Sequence, residues 1–148
     1  MALISRKQLD TVQLRTQIVD VPEWATPDMP PGEVPQVMVR ELMGNERDAY
    51  EASLLTMRGS GKNMQQELHL QNARAKIAVM GLINEDGTPM YKNNAAEIAA
   101  LGKLPAKGLE RVVDAIMALS GINDDTEEGL EEAAANFPNG ETNGFGTN

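Results

Sequence analysis

The stretch VMVRELMGNERDAYEASL, residues 37–54, decides the fold of the first half of this chain. Residues 37–42 are rich in apolar side chains and predict a strand, which a glycine ends. Asn45 is a favourable helix N-cap, and Glu46 and Asp48 put negative charge in the first turn, where the helix dipole stabilises it. The stretch therefore predicts a strand followed by a helix, and no catalytic side chain is placed in it.

A second strand is predicted upstream, over residues 11–21 (TVQLRTQIVDV), because apolar and polar side chains alternate there. Five of the eight prolines fall between the two strands. Proline donates no hydrogen bond to a strand ladder, so this intervening stretch is predicted to be an irregular loop. We expect a small antiparallel pair that packs on helices, because two strands alone are only marginally stable.

The helix that begins near Asn45 is predicted to bury one apolar stripe, formed by Tyr50, Leu54 and Met57. The sequence RGSGKN at 58–63 ends it. A second helix is predicted over residues 64–83. Its last seven residues, IAVMGLI, are apolar nearly all round, which indicates a buried helix end or a short strand leading into a turn at 84–87.

Capping signals define the helices that follow. Asn94 and Glu97 resemble a capping box, and Gly102 ends that helix. Pro105 suits the first turn of the next helix. Its apolar face is the cleanest in the chain and comprises Leu109, Val112, Val113, Ile116 and Leu119. Gly121 and Ile122 are typical of a C-cap with a contact back to Met117.

The predicted fold is mainly α with a small N-terminal antiparallel β pair, an α+β class with four to five short helices. A single domain at 11–122 is expected between a flexible N-terminus at 1–10 and an acidic, low-complexity tail at 123–148. A weak helix over 124–135 is expected inside the tail, followed by disorder.

Composition excludes several classes of function. The chain has no cysteine and one histidine, His69, so thiol catalysis, thiolate metal sites and a multi-histidine zinc site are excluded. No long apolar run predicts a membrane span, and the N-terminus lacks the apolar core of a signal peptide. The net charge of −9 includes seven acids in the tail, which has no Lys or Arg. No basic face for nucleic acid is visible.

Two loop motifs resemble a phosphate-binding loop and a calcium-binding loop, but neither has all the residues that such a loop requires. Gly59-Ser60-Gly61-Lys62 lacks the earlier glycine and the following Ser or Thr of a phosphate loop, so a flexible inter-helix loop is the better interpretation. The sequence NEDG at 84–87 lacks an acid at the twelfth position of an EF-hand loop, which favours a plain glycine turn. No cofactor and no metal site are predicted.

The charged clusters give the candidate partner-binding residues. On the basic side these are Lys103, Lys107 and Arg111, spaced i, i+4, i+8, for which a solvated helix face competes with a docking stripe. On the acidic side they are Asp124, Asp125, Glu127 and Glu128. Helix capping and solubility explain the acids, and steering of a basic partner is the alternative.

The chain resembles the tail assembly chaperones of long-tailed bacteriophages. The resemblance rests first on Pro22, Glu23 and Trp24, then on Val39, Arg40 and Glu41, then on Gly44, Glu46, Arg47, Asp48 and Tyr50. It continues through NARAKIAVMGLINEDGTPMY at 72–91, the Leu101-Gly102 helix end and GLERVVDAIMALSGI at 108–122, and so covers roughly residues 18–122. The proline-rich loop after Trp24 and the RGSGKNMQQ linker depart from the family pattern.

The resemblance implies a non-enzymatic late protein of viral tail morphogenesis. Such a chaperone binds the tape measure protein, keeps it soluble and helps to recruit tail tube subunits. It is expected in the host cell cytoplasm and not in the mature virion, without nucleic-acid or membrane partners. Self-association and a longer frameshifted form are further expectations. The alternative is a structural virion component, such as a head–tail connector or minor tail protein, and a small hydrolase or nucleotide-binding enzyme is the weakest candidate.

Overall fold

The computed structural model describes residues 1–58, 65–68 and 71–122, and for residues 56–58 and 65–68 it describes the backbone only. The strands within these ranges are β1 (Thr16–Asp20), β2 (Gln36–Arg40), β3 (Leu55–Arg58), β4 (Gln65–Leu68) and β5 (Leu82–Ile83). The α-helices are α1 (Arg6–Leu9), α2 (Gly44–Leu54), α3 (Ala73–Gly81), α4 (Ala95–Leu101) and α5 (Ala106–Leu119), and a 3₁₀ helix spans Pro22–Trp24. The predicted α+β class with an N-terminal antiparallel pair is confirmed.

A three-stranded antiparallel sheet of order β1-β2-β5 forms the centre of the fold. In its register Val19 pairs with Val37, and Val39 pairs with Leu82. β1 is shorter than predicted because Thr11 and Val12, at the start of the 11–21 stretch, belong to the turn that ends α1. The Thr11 hydroxyl donates to the Gln8 carbonyl (2.7 Å), and the Val12 amide donates to the Leu9 carbonyl (3.2 Å), so these residues complete the α1 turn.

The core lies between one face of this sheet and the helices. α5 packs on β1 and β2, α3 packs on α5 and α4, and α2 packs on α3. Side chains in the core are aliphatic apart from Tyr50 and Met80, and Val39, Leu54, Val112 and Ile116 have no exposed area. Gly81 lets α3 approach α5, because a Cβ there would lie 2.4 Å from the Ile116 Cδ1 atom.

The prediction of one helix over 64–83 is wrong in its first half. β4 pairs there with β3 in a second, two-stranded antiparallel sheet, and α3 begins only at Ala73. Asn72, which precedes it, has a left-handed backbone (φ 56°) that a continuous helix does not tolerate. For the apolar sequence IAVMGLI, both predicted structures are present. The helix α3 runs to Gly81, and the short strand β5 follows directly.

The start of α2 also differs from the prediction, because its N-cap is Met43 and not Asn45. The Glu46 carboxylate reaches back to accept the Met43 amide hydrogen (2.8 Å), so it satisfies a free donor of the first turn. Asp48 consequently lies beyond that turn. Tyr50 and Leu54 are buried as predicted, whereas Met57 belongs to β3 and not to the helix.

Several predicted helix ends are confirmed. The Asn94 side chain accepts the Glu97 amide hydrogen at 2.9 Å, and α4 ends before Gly102. Pro105 is the N-cap of α5, one position before the predicted first turn. Gly121 is left-handed (φ 73°), and the Ile122 amide donates to the Met117 carbonyl at 2.9 Å. This is the Schellman geometry of a helix C-terminus, with Ile122 buried.

Candidate protein-docking groove

The outer face of the sheet, opposite α5, presents a row of apolar side chains across three strands. Ile18 pairs with Met38, and Met38 pairs with Ile83, so the three side chains lie on the same face. Exposure falls along the row. Ile18 is 57% exposed, Met38 is half-buried and Ile83 is 2% exposed.

Met90 extends this row into a longer depression, which we call the outer groove. One part of it, about 340 Å³, lies over Ile18, Met38, Ile83 and Met90. The other part, about 580 Å³, is lined by Met80, Met90, Tyr91, Arg40 and Glu46, among others. Met90 lines both parts, so the two lie on either side of one side chain.

A glycine turn positions Met90 beside the sheet. The Gly87 amide donates to the Asn84 carbonyl (2.9 Å), and Gly87 has a positive φ of 90°. The Asp86 carboxylate accepts from the Thr88 amide (3.0 Å) and hydroxyl (2.6 Å), which lowers the pKa of Asp86. Residues 84–87 therefore form the predicted plain turn. It returns the chain so that the Met90 amide donates to the Leu82 carbonyl at 3.1 Å.

An ion pair fixes one end of the groove. The Arg40 guanidinium donates to both Glu46 carboxylate oxygens, at 2.8 and 2.7 Å, and to the Glu41 carbonyl at 2.9 Å. Burial acts to raise the pKa of Glu46, but the hydrogen bonds from Arg40 and from the Met43 amide outweigh it, and the pKa is lowered. The pair ties β2 to α2 and gives this end of the groove a fixed polar group.

The opposite end of the groove is acidic. Among the described residues that line this end of the groove, Glu85 is the charged one. Asp86 follows Glu85 in the turn, and Asp20 lies on the same strand face as Ile18, where its carboxylate accepts from the Gln36 side chain at 2.7 Å. A ligand for this end therefore needs apolar side chains and positive charge.

Methionine makes the surface adaptable. Met38 and Met90 line the groove with accessible side chains, whereas Met80 borders it from the core and is 6% exposed. An unbranched thioether side chain can change its rotamer to fit different apolar partners, which is why methionine is common at surfaces that bind several sequences.

The basic candidates from the sequence do not lie in the groove. Lys103 lies in the turn before α5, so the three residues do not form one helical stripe as their spacing suggested. Lys107 lies 3.7 Å from Glu110, and the Arg111 Nε atom donates to both Glu23 oxygens, at 3.0 and 3.1 Å. The acidic candidates Asp124, Asp125, Glu127 and Glu128 lie outside the described residues, as do His69, the Gly59–Lys62 motif and the helix expected over 124–135.

The Pro-Glu-Trp sequence is a structural anchor. The Trp24 indole N–H donates to the Pro105 carbonyl (3.3 Å), and its ring covers Gly108, where a Cβ would lie 2.4 Å from Nε1. The Arg111 hydrogen bond lowers the pKa of Glu23. Together these contacts fasten the chain after β1 to α5, so the motif serves the core side of the sheet and not the groove.

Sequence reasoning missed the groove, although a signal was present. Val37, Met38 and Val39 are consecutive apolar residues, whereas a strand with one solvated face alternates. Such a run indicates that both faces of the strand meet apolar surface. Met90 could not have been assigned to the same site, because its position depends on the turn at 84–87.

Within the described part of the chain, no group of three or more His, Cys, Asp or Glu side chains could hold a metal ion. No helix in those ranges is long and apolar enough to cross a membrane. Comparison of the chain with protein-family models, with curated proteins and with solved structures gives no match.

Proposed function

We propose that this protein is a non-enzymatic tail assembly chaperone of a long-tailed phage, and that the outer groove is where it binds the tape measure protein. The observation that supports this is the group of accessible apolar side chains at Ile18, Met38 and Met90 on the sheet face opposite α5. Exposed apolar surface of this kind marks binding sites on soluble proteins.

The dimensions of the groove suit a helix. The row from Ile18 through Met38 to Ile83 crosses two strand gaps, which at about 4.8 Å each makes roughly 10 Å. This is close to the 10–12 Å diameter of an α-helix with its side chains. A helix with apolar residues at i, i+3, i+4 and i+7 can therefore lie parallel to the strands with its apolar face on the row.

The chemistry of the groove suits a long partner with many different helical segments. A chaperone that coats such a partner meets a new sequence at each site, and the methionine side chains at positions 38 and 90 can adapt to each. The Arg40–Glu46 pair limits the orientation of a bound helix at one end of the groove. The coated tape measure protein stays soluble in the host cytoplasm, and tail tube subunits then replace the chaperone.

Co-expression with the tape measure protein of the same phage tests this proposal. We expect a soluble, co-purifying complex with the unaltered chain. Ile18→Lys should abolish it, because the lysine replaces the most exposed apolar side chain of the row with a long charged one. Val34→Lys is the matched control, since Val34 is similarly exposed (53%) and does not line the groove. Equal solubility of the tape measure protein alone, without co-purification, would refute the proposal.

Mass spectrometry of purified phage particles separates this role from the alternative of a structural virion component. A chaperone that tail tube subunits displace is absent from the particle. A head–tail connector or minor tail protein is present in a fixed copy number. Detection of this chain in the particle at a fixed copy number would refute the chaperone proposal in favour of a structural virion component.

A further inference from the structure

The N-terminal arm, residues 1–14, is exposed along its whole length. Ten large apolar side chains are exposed in the described chain, and six of them belong to the arm, namely Met1, Leu3, Ile4, Leu9, Val12 and Leu14. Leu3 is 91% exposed and Val12 is 68% exposed. Such a density of uncovered apolar side chains in a short segment is typical of a docking element.

Local signals order one helical turn within the arm. The Ser5 hydroxyl accepts the Gln8 amide hydrogen (3.3 Å), and the Gln8 side chain accepts the Ser5 amide hydrogen (2.9 Å), which is a capping box at the start of α1. A helix of four residues is too short to be stable alone in water. The turn therefore needs a further contact to hold it.

The acidic tail, residues 123–148, begins beside the base of the arm. The Arg15 Nη2 atom donates to the Leu119 carbonyl, so the residue that follows the arm touches the end of α5. The left-handed Gly121 then turns the chain, and Ile122 is buried. Residue 123 is only four positions beyond Leu119. The tail and the arm therefore leave the fold at neighbouring points.

The two segments carry opposite charge. Arg6 and Lys7 outnumber the single acid of the arm, Asp10. In the tail, six acids fall within residues 124–132, and the whole tail has no Lys or Arg. Exposed ion pairs contribute little individually, at most about 1 kcal/mol. Charge would thus favour the pairing of tail and arm, while apolar contacts would supply most of its stability.

The tail also has apolar side chains in a matching pattern. Leu130, Ala133, Ala134 and Phe137 are spaced i, i+3, i+4 and i+7, which is the apolar stripe of a helix. An unstructured chain from Ile122 to Leu130 spans roughly 16 Å on average. From Leu14 back to Leu9 the arm spans at most about 18 Å. The stripe can therefore reach Leu9.

We propose that the acidic tail folds back on the N-terminal arm of the same chain. The apolar stripe packs on Leu9 and Val12, and the acids lie near Arg6 and Lys7. Because tail and arm belong to one molecule, the effective concentration of one at the other is in the millimolar range, so a weak contact is enough.

The consequence of this contact is autoinhibition of the arm. Any partner that binds the apolar side chains of the arm must first displace the tail. Displacement is easier at high salt, because the ionic part of the contact is screened. The contact does not involve the outer groove, and it does not depend on the proposed chaperone function.

Paramagnetic NMR of the full chain tests the inference. The chain has no cysteine, so a nitroxide on Asn136→Cys labels the tail alone. We expect the methyl signals of Leu3, Ile4 and Leu9 to lose at least half of their intensity relative to the reduced nitroxide. The Ile83 signal, on the opposite face of the sheet, should keep its intensity.

Substitutions in the arm separate docking from mere proximity. Leu9→Asp removes an apolar contact and Lys7→Glu reverses a charge, and both positions are exposed, so the fold should tolerate the changes. Each should restore at least half of the lost intensity at Leu3 and Ile4. Lys103→Glu is the matched control, since it makes the same charge change on an exposed residue at the far end of α5. It should restore nothing.

A mixed sample shows which chain the tail contacts. Isotope-labelled chain without nitroxide is mixed with unlabelled chain that carries it. We expect full intensity at Leu3, Ile4 and Leu9 in this mixture. Equal losses in the mixture would show that the tail reaches a second copy, and the inference would be wrong. It would also be overturned by arm signals of full intensity in the singly labelled chain, or by losses that neither Leu9→Asp nor Lys7→Glu reduces.

Discussion

The two faces of the central sheet use the same strands for opposite purposes. Val39 points into the core and has no exposed area, while Met38, its neighbour in β2, lies in the outer groove. The inner face is closed by α5, which in turn packs closely on α3, with Ile116 against Gly81. The outer face has accessible apolar side chains, with Ile18 57% and Met90 40% exposed. One strand can thus stabilise the fold with alternate residues and bind a partner with the others.

The same substitution on the two faces should have very different effects on stability. Ile116→Ala removes a fully buried side chain and should lower the free energy of unfolding by about 2–5 kcal/mol. Ile18→Ala removes an exposed one and should change it by less than about 1 kcal/mol. Urea denaturation followed by circular dichroism measures both. Equal losses would mean that the outer face is covered in the free protein.

The Arg40–Glu46 pair should be the part of the outer face that matters most for stability. Glu46→Gln should lower the free energy of unfolding by about 1.5–3 kcal/mol, because charge-assisted hydrogen bonds from Arg40 are lost. Since folding lowers the pKa of Glu46, its contribution is complete above the ordinary pKa of about 4.5 and is lost as the pH falls through the lowered value.

Denaturation curves of wild type and Glu46→Gln at several pH values check this. The difference between the two proteins should be constant near neutral pH and should shrink in acid. A difference that instead grows as the pH falls would show that the carboxylate is not stabilised by the fold. Arg47→Gln serves as a control, because it breaks a more exposed i, i+4 pair with Glu51.

Two glycine substitutions sharpen the contrast between close fit and open surface. Gly108→Ala places a Cβ against the Trp24 ring and should destabilise the fold by about 1–3 kcal/mol. Gly44→Ala meets no atom within 4 Å and should be neutral or stabilising by up to about 1 kcal/mol. Trp24 fluorescence reports the first change directly. An unchanged Trp24 fluorescence spectrum together with an unchanged free energy of unfolding would show that the Pro-Glu-Trp sequence does not anchor the chain to α5.

The smallest effect is expected at the Glu23–Arg111 pair. Arg111→Gln should leave the unfolding midpoint nearly unchanged, since exposed ion pairs contribute little. It should also leave co-purification with the tape measure protein unchanged, because Arg111 does not line the groove. Loss of that complex would indicate that the tape measure protein binds the basic residues of α5 and not the outer groove.

Local sequence signals predicted the elements whose stability is local or strongly periodic. The α5 face, its Gly121–Ile122 end and the Asn94 cap follow from spacing and capping chemistry alone. Failures occurred where distant pairing outweighs local preference. Residues 65–68 have a helix-compatible composition, but pairing with β3 makes them a strand. The left-handed conformation of Asn72 then decides where α3 begins.

The candidate site was harder to predict than the fold, because it consists of residues far apart in sequence. Ile18, Met38 and Met90 meet through strand register and a glycine turn, and neither is visible in a single segment. The charged clusters were more conspicuous in the sequence. Of these, Lys107 and Arg111 form intramolecular ion pairs, and the acids lie outside the described residues.

Methyl NMR of the protein labelled at its methionines tests the central claim most directly. Titration with a helical fragment of the tape measure protein should shift or broaden the Met38 and Met90 signals in a saturable manner. Signals of Met29 and Met117, which do not line the groove, should stay unchanged. Binding of the fragment with changes at Met29 or Met117, and none at Met38 and Met90, would contradict the assignment of the outer groove as the docking site.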